Sequence, residues 1–216
     1  MNTSETPSVA WQCRTVLRAL RHTAGYIIGK MNFFRHSYER WSAVRLPESV
    51  QSVLFVCKGN ICRSPLGEAC FRALAMQAGR QLLVSSAGLE TTPGKPAHLK
   101  AQAVAAEYGL SLESHTTTQV HADLLDKSDL IVVMEVSQKD RIHRLYPRTM
   151  GKVILLGRFD STGPLEIADP YSGTSDDFSS CYRQVSRCCE NLAARLGMKA
   201  SESVLGQIVP LNPKNS

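Results

Sequence analysis

No stretch of the chain approaches the ~18 consecutive apolar residues that a membrane-spanning helix requires. The start, Met1-Asn2-Thr3-Ser4-Glu5, also lacks the basic opening and apolar run of a secretory signal. Both absences point to a cytoplasmic protein. Cysteine is present, but a framework of cysteines is not: the seven form an odd number at irregular spacing, in a chain long enough to bury a core without cross-links. They are read as reduced thiols. No cluster of His, Cys, Asp and Glu has metal-ligand spacing, so neither a metal nor another cofactor is expected. Internal repeats are missing too. What remains, 216 residues with 43% hydrophobic and 20% charged, is ordinary globular composition.

The formal charge of +6 is unevenly spread. Through Leu46, Arg14, Arg18, Arg21, Lys30, Arg35, Arg40 and Arg45 face only Glu5 and Glu39, whereas the remainder carries 18 basic and 17 acidic residues. A near-neutral body with a basic arm gives no support to a nucleic-acid surface on the main domain. Within the arm, Cys13, Val16, Leu17, Leu20, Ala24, Ile27, Ile28, Met31 and Phe34 recur at three- and four-residue steps, with Arg14, Arg18 and Arg21 on another face. This pattern predicts a basic amphipathic helix over 13–34. Three roles stay open for it: packing on the body or a partner, lying on an anionic membrane surface, and organelle targeting. The expected organisation is an extension over 1–50, a catalytic domain over 51–198 and a loosely ordered tail over 199–216.

From Val53 onward strand-like and helical segments alternate, which argues for a three-layer α/β fold, a parallel sheet with helices on both faces. Strands are expected at Val53–Val56, from Leu82, at Leu130–Met134 and at Val153–Leu156. Helices are expected after Pro65 to about Ala78, over Leu99–Tyr108, over Ser137–Leu145 and from about Asp177 to Leu196.

Between the first strand and the first helix lies Cys57-Lys58-Gly59-Asn60-Ile61-Cys62-Arg63-Ser64-Pro65. Loop N–H groups at a helix amino terminus attract a phosphoryl dianion, and an arginine guanidinium matches two of its oxygens in a planar fork. A cysteine in that field favours its thiolate, which makes Cys57 a candidate nucleophile. Gly59 and Asn60 tolerate the left-handed backbone of a tight cradle, and Ser64 can donate a hydroxyl proton to sulfur. Spacing alone proves nothing, because Cys181 to Arg187 and Cys189 to Arg195 repeat it inside the last helical segment. There, with no preceding strand and no glycine, the cysteines read as small buried hydrophobes. Ester cleavage also needs a proton donor for the leaving oxygen, and Asp169, held extended by Pro170 and followed by Tyr171, is the candidate. Tyr171 can wall an aromatic leaving group.

Val56 through Pro65 resembles the signature of the low-molecular-weight protein tyrosine phosphatases. Glu68-Ala69, Ser85-Ser86-Ala87-Gly88, Ser114-His115, Leu130 to Glu135 and Asp169-Pro170-Tyr171 follow in that family's order. The resemblance covers about Ser52 to Leu196. It implies a four-stranded parallel sheet with the phosphate-binding loop at the carboxyl end of the first strand. It further implies Cys57 as the nucleophile of a phosphocysteine intermediate, Arg63 as phosphate clamp and Asp169 as general acid and then base. Lys58, Gly59, Asn60, Ile61, Cys62 and Ser64 would form the phosphate loop, with Ser86 and His115 supporting it. Cys62 matches a second loop cysteine that can pair reversibly with the nucleophile.

Three departures bear on substrate: Lys58 stands where the family is commonly apolar, Ser172 replaces a second tyrosine, and Leu89-Glu90-Thr91-Thr92-Pro93 lacks an aromatic. Tyr171 is then the single aromatic wall, as in bacterial-type members. The expected partners are phosphotyrosine proteins, a tyrosine kinase among them. Arsenate reduction on the same fold and a non-catalytic phosphopeptide-binding module are the alternatives. The first lacks relay cysteines between Cys70 and Cys181, and the second would be expected to have lost Cys57, Arg63 or Asp169.

Overall fold

The computed structural model describes residues 36–39 and 44–198; the predicted arm helix and the tail lie outside the described residues. The chain divides into two units, Met1–Ser42 and Ala43–Ser216. The first is represented by one helical turn at 36–39. No helix of the described residues is long and apolar enough to cross a membrane.

The second unit is built on four parallel strands in the order β2-β1-β3-β4: β1 (Ser52–Cys57), β2 (Leu83–Gly88), β3 (Leu130–Val133) and β4 (Val153–Leu155). β1 runs between β2 and β3, with Phe55 opposite Ser86 on one side and Val132 on the other. Strands alternate their side chains between faces, so this sheet feeds two cores. Val53, Phe55, Val132 and Ile154 point to one core, with Leu66, Phe71 and Leu74 of α1 (Arg63–Gln77) and Phe178, Val185 and Leu192 of α5 (Ser175–Arg195). α2 (Leu99–Glu107) adds Ala101 and Val104 to the same layer. Leu54, Val56, Ile131, Val133 and Leu155 point to the other, against Leu125 of α3 (Ala122–Lys127) and Val136 and Ile142 of α4 (Val136–Leu145). The predicted three layers are present.

The strand order reverses at β1, and in open α/β sheets the crevice at such a switch point is where ligands bind. The loop after β1 therefore opens at the carboxyl edge with β2 and β3 on either side. α5 starts at a capping box in which the Thr174 hydroxyl accepts from the Asp177 N–H while the Asp177 carboxylate accepts from the Thr174 N–H. That fixes its start at Ser175, two residues before the sequence expectation.

α3 was not foreseen. A six-residue helix with only Ala122, Leu124 and Leu125 as apolar members carries no readable period, and its start is set by the His121 ring accepting from Leu124 N at 3.4 Å.

Behind β4, Asp160 is 4% exposed yet charged. Its carboxylate accepts from Thr162 N and Gly163 N at 3.1 and 3.0 Å and from Arg187 Nη2 at 2.9 Å. Burial works against the charge, but Arg187 and the Thr162 and Gly163 donors outweigh it and hold the carboxyl below its ordinary range. A depressed folded pKa stabilises the fold above the unfolded value, and that contribution disappears as pH falls through the folded one. Asp160→Asn is expected to cost about 1–3 kcal/mol at neutral pH. In urea denaturation the gap to wild type should close as the pH drops below about 4.

Candidate active site

β1 delivers Cys57 to the sheet edge, and α1 begins at Arg63 with Cys62 as its N-cap. The five residues between turn the backbone around the sulfur. Asn60 takes the left-handed φ of 53° that the turn demands, and its N–H donates to Cys57 Sγ at 3.2 Å. Ser64 Oγ lies 3.0 Å from the same sulfur. Asn60 Nδ2 donates to Ser64 Oγ at 2.9 Å, which leaves the serine proton for the sulfur at 3.0 Å or the more distant Ala87 carbonyl at 3.4 Å. Two donors thus converge on Cys57, an arrangement that suits an anionic sulfur.

Asn60 is the pivot of the support behind the loop. Its Nδ2 also donates to Ser86 Oγ at 2.9 Å, its Oδ1 accepts from Thr118 N at 2.8 Å, and its carbonyl lies 2.8 Å from His115 Nε2. A carbonyl only accepts, so His115 carries its proton on Nε2 there. Ser86 in turn donates to Glu68 Oε2 at 2.6 Å. Gly88 is obligatory at the end of β2, since a Cβ would come within 2.9 Å of the Lys58 carbonyl and 3.1 Å of Asn60 Cβ. A polar cavity of about 290 Å³ lined by Glu68, Arg72, Ser86 and His115 lies behind this network.

Arg63 is 1% exposed. Its Nη1 donates to the Ile167 carbonyl at 3.0 Å and to Glu135, and its Nη2 donates to Asp169 Oδ2 at 2.6 Å. Burial alone would lower its pKa; the Glu135 hydrogen bond and the nearby Cys57, Asp169 and Glu135 charges reverse that and keep it cationic. Nε is buried with no hydrogen-bond partner in the protein. An unpartnered charged donor beside the nucleophile fits an oxyanion ligand.

The mouth is a cavity of about 220 Å³ lined by Cys57, Lys58, Gly59, Ile61, Cys62, Arg63, Glu90, Asp169 and Tyr171. Among these residues Tyr171 is the single aromatic. It is 58% exposed, and the His98 ring meets its edge at 5.6 Å while stacking on Phe178 at 4.9 Å. Backbone N–H of His98 donates to Ile61 O at 2.8 Å, tying the Tyr171 wall to the loop.

Burial, followed by the charges of Asp169 and Cys57, pushes the Cys62 thiol up to about 12. It is therefore a neutral neighbour of Cys57, not a second thiolate. Cys181 and Cys189, which repeat the Cys-to-Arg spacing, are buried in α5 with Cys188, Val185 and Leu192. Burial likewise lifts Cys181 to about 12.

The structure brings Cys57, Lys58, Gly59, Ile61, Cys62, Arg63, Asp169 and Tyr171 to one cavity, sets Asn60 and Ser64 against the Cys57 sulfur, and sets Ser86 and His115 behind them. Sequence reasoning assigned no role to four participants: Glu135 at the N-cap of α4, Glu68, Glu90 and His98. Glu135, Glu90 and His98 meet partners far along the chain, and Glu68 meets Ser86 besides its helical neighbour Arg72. The one available signal was the place of Glu135 at the end of the apolar run Leu130 to Met134.

The family model described as low molecular weight phosphotyrosine protein phosphatase matches residues 52–202. The low molecular weight protein-tyrosine-phosphatase Wzb of Escherichia coli K12 is 39% identical over 145 residues, covering 67% of this chain and 95% of the relative. The crystal structure of the Erwinia amylovora tyrosine phosphatase AmsI is similar with a TM-score of 0.64 and 37% identity, over 68% of this chain and 93% of that one. The arginine phosphatase YwlE of Geobacillus stearothermophilus is similar with a TM-score of 0.63 and 28% identity, over 68% of this chain and 93% of that one.

Proposed function

The chain belongs to the low molecular weight phosphotyrosine protein phosphatase family, and from that premise we propose that it hydrolyses phosphotyrosine on proteins through a phosphocysteine at Cys57. The observation that carries this reading is the buried guanidinium of Arg63, held by Glu135 and Asp169 with Nε unpartnered, in the cavity that also holds the Cys57 sulfur.

The phosphoryl dianion enters the loop and takes the donors of Arg63 and the loop N–H groups. In doing so it competes with Asp169 for Nη2, turning that carboxyl toward the ester oxygen. Cys57 Sγ attacks phosphorus, the bond from phosphorus to the phenolic oxygen breaks, and Asp169 gives that oxygen its proton. Asp169 then takes a proton from a water that attacks the phosphocysteine, releasing phosphate and restoring the thiolate. Ser64 and the Asn60 N–H stabilise the sulfur as it leaves, and the fixed donors stabilise the equatorial oxygens throughout. Ile61 and Tyr171 flank the phenol ring.

A second reading, phosphoarginine hydrolysis, is favoured by the similarity to YwlE. It is the weaker one, because Ile61 and Tyr171 offer an apolar slot to a leaving group that would be a cationic guanidinium.

The reading extends to a cytoplasmic catalytic domain over 51–198, whose substrates include tyrosine kinases, and to an extension over 1–50 that holds it at an anionic membrane or a partner. Phosphate release from matched phosphotyrosine, phosphoserine and phosphoarginine peptides, in chelator and reductant, tests it. Release from phosphotyrosine alone is expected. Preferential release from phosphoarginine would replace it with the second reading.

A further inference from the structure

The mouth is lined by apolar Ile61 and Tyr171 and also by charged Lys58 and Glu90, the latter joined to Arg141 outside the lining. There Glu90 lies between two cations, 3.8 Å from Lys58 Nζ and in direct contact with Arg141 of α4. Its position is fixed from the backbone, because Glu90 N donates to the Lys58 carbonyl at 2.8 Å and Leu89 N to the Cys57 carbonyl at 3.0 Å. The side chains stay open to water, Lys58 67%, Glu90 47% and Arg141 36% exposed. The other charges on this cavity, Arg63 and Asp169, are engaged with each other. Two cations and one carboxylate leave the Lys58–Glu90–Arg141 cluster with a net positive charge.

We propose that Lys58 and Arg141 form a subsite for a second anionic group on the phosphotyrosine substrate, a neighbouring carboxylate or phosphate, and that Glu90 occupies it until substrate displaces it. The proposal deepens the phosphotyrosine reading and rests on it. Glu90 suits the role on three counts. It lines the same cavity as Cys57, so a group that replaces it belongs to the bound substrate. Ion pairs this exposed contribute little stability, so exchange costs little. Arg141, first by hydrogen bond and then by charge, and Lys58 more weakly, hold the Glu90 carboxyl below its usual range, so the subsite prefers an anion to a neutral acid. The mouth then selects a substrate with an aromatic phosphoester and an acidic neighbour, and Glu90 sets how strongly.

The test compares three phosphotyrosine peptides, identical except that the neighbouring residues are glutamine, glutamate or a second phosphotyrosine. The readout is the ratio of kcat/KM for each anionic peptide to the glutamine peptide. Glu90→Gln, which frees both cations, is expected to raise that ratio by about 3–10-fold, and Arg141→Glu to lower it by a similar factor. Both shifts should shrink near 1 M salt, where screening acts over about 3 Å. Ratios that either variant leaves in place for both anionic peptides overturn the proposal; opposite shifts support it, and the peptide that shows them identifies carboxylate or phosphate. Activity on the glutamine peptide reads the phosphotyrosine assignment separately. The same ratio of affinities, measured by fluorescence anisotropy on Cys57→Ser protein, reads the subsite even without turnover.

Discussion

Replacing Cys57 by serine is expected to lower turnover of an aryl phosphate on the order of 10⁴-fold or more while phosphate still binds. The cradle supplies the reason for both halves. The Asn60 N–H at 3.2 Å and Ser64 Oγ at 3.0 Å stabilise an anionic sulfur, but an alkoxide is too basic for the same two donors to produce at neutral pH. The anion site itself is made by Arg63 and the loop backbone, and a serine oxygen can accept from the same Asn60 N–H, so the cradle keeps its shape. Removing a thiolate also removes one negative charge beside the incoming dianion, so phosphate affinity should hold or rise. Steady-state kinetics and calorimetric phosphate titration of the variant read the two effects. A variant that had merely misfolded would lose binding as well.

The second large effect is expected from Asp169→Asn, a fall of about 10²–10⁴-fold in kcat on phosphotyrosine. Asparagine keeps an oxygen that can accept from Arg63 Nη2, the contact that Asp169 makes at 2.6 Å. The guanidinium therefore stays in place, and the proton that the leaving oxygen needs is what disappears. The loss should depend on the ester: severe for phosphotyrosine, whose phenol is a poor leaving group, and much milder for p-nitrophenyl phosphate, whose phenolate leaves unaided. A purely positioning role for Asp169 would depress both substrates equally. Since the same carboxylate activates the attacking water, the variant should also hydrolyse its phosphocysteine slowly.

What the sequence revealed and what it hid divide along a physical line. The loop from Cys57 to Arg63 was legible because its chemistry is local: a strand, a glycine and an asparagine in a turn, a helix start and an arginine at fixed reach. Of Gly59 and Asn60, the two residues whose type suggested a left-handed backbone, Asn60 takes it at φ 53° and Gly59 does not. The four strands and four longer helices followed from periodicity, with ends off by one to three residues where capping decides them, as at Thr174. α3, too short for a period, did not. The partners of the chemical groups were the least legible. Glu135 reaches Arg63 across 72 positions and Arg141 reaches Glu90 across 51, and neither neighbourhood shows which cation each acid meets. The decoys Cys181 and Cys189 make the complementary point, since the same Cys-to-Arg spacing on a continuous helix buries the sulfur in the α1–α5 core.

The central claim, a covalent phosphoryl group on the Cys57 sulfur, is tested most directly by rapid acid quench. Asp169→Asn protein would be mixed with excess p-nitrophenyl phosphate, quenched within one turnover and digested for mass spectrometry. The account predicts one phosphoryl group per chain, on the peptide containing Cys57, forming as fast as nitrophenol is released. Nitrophenol release with no modified cysteine, or with phosphate on another residue, would contradict it.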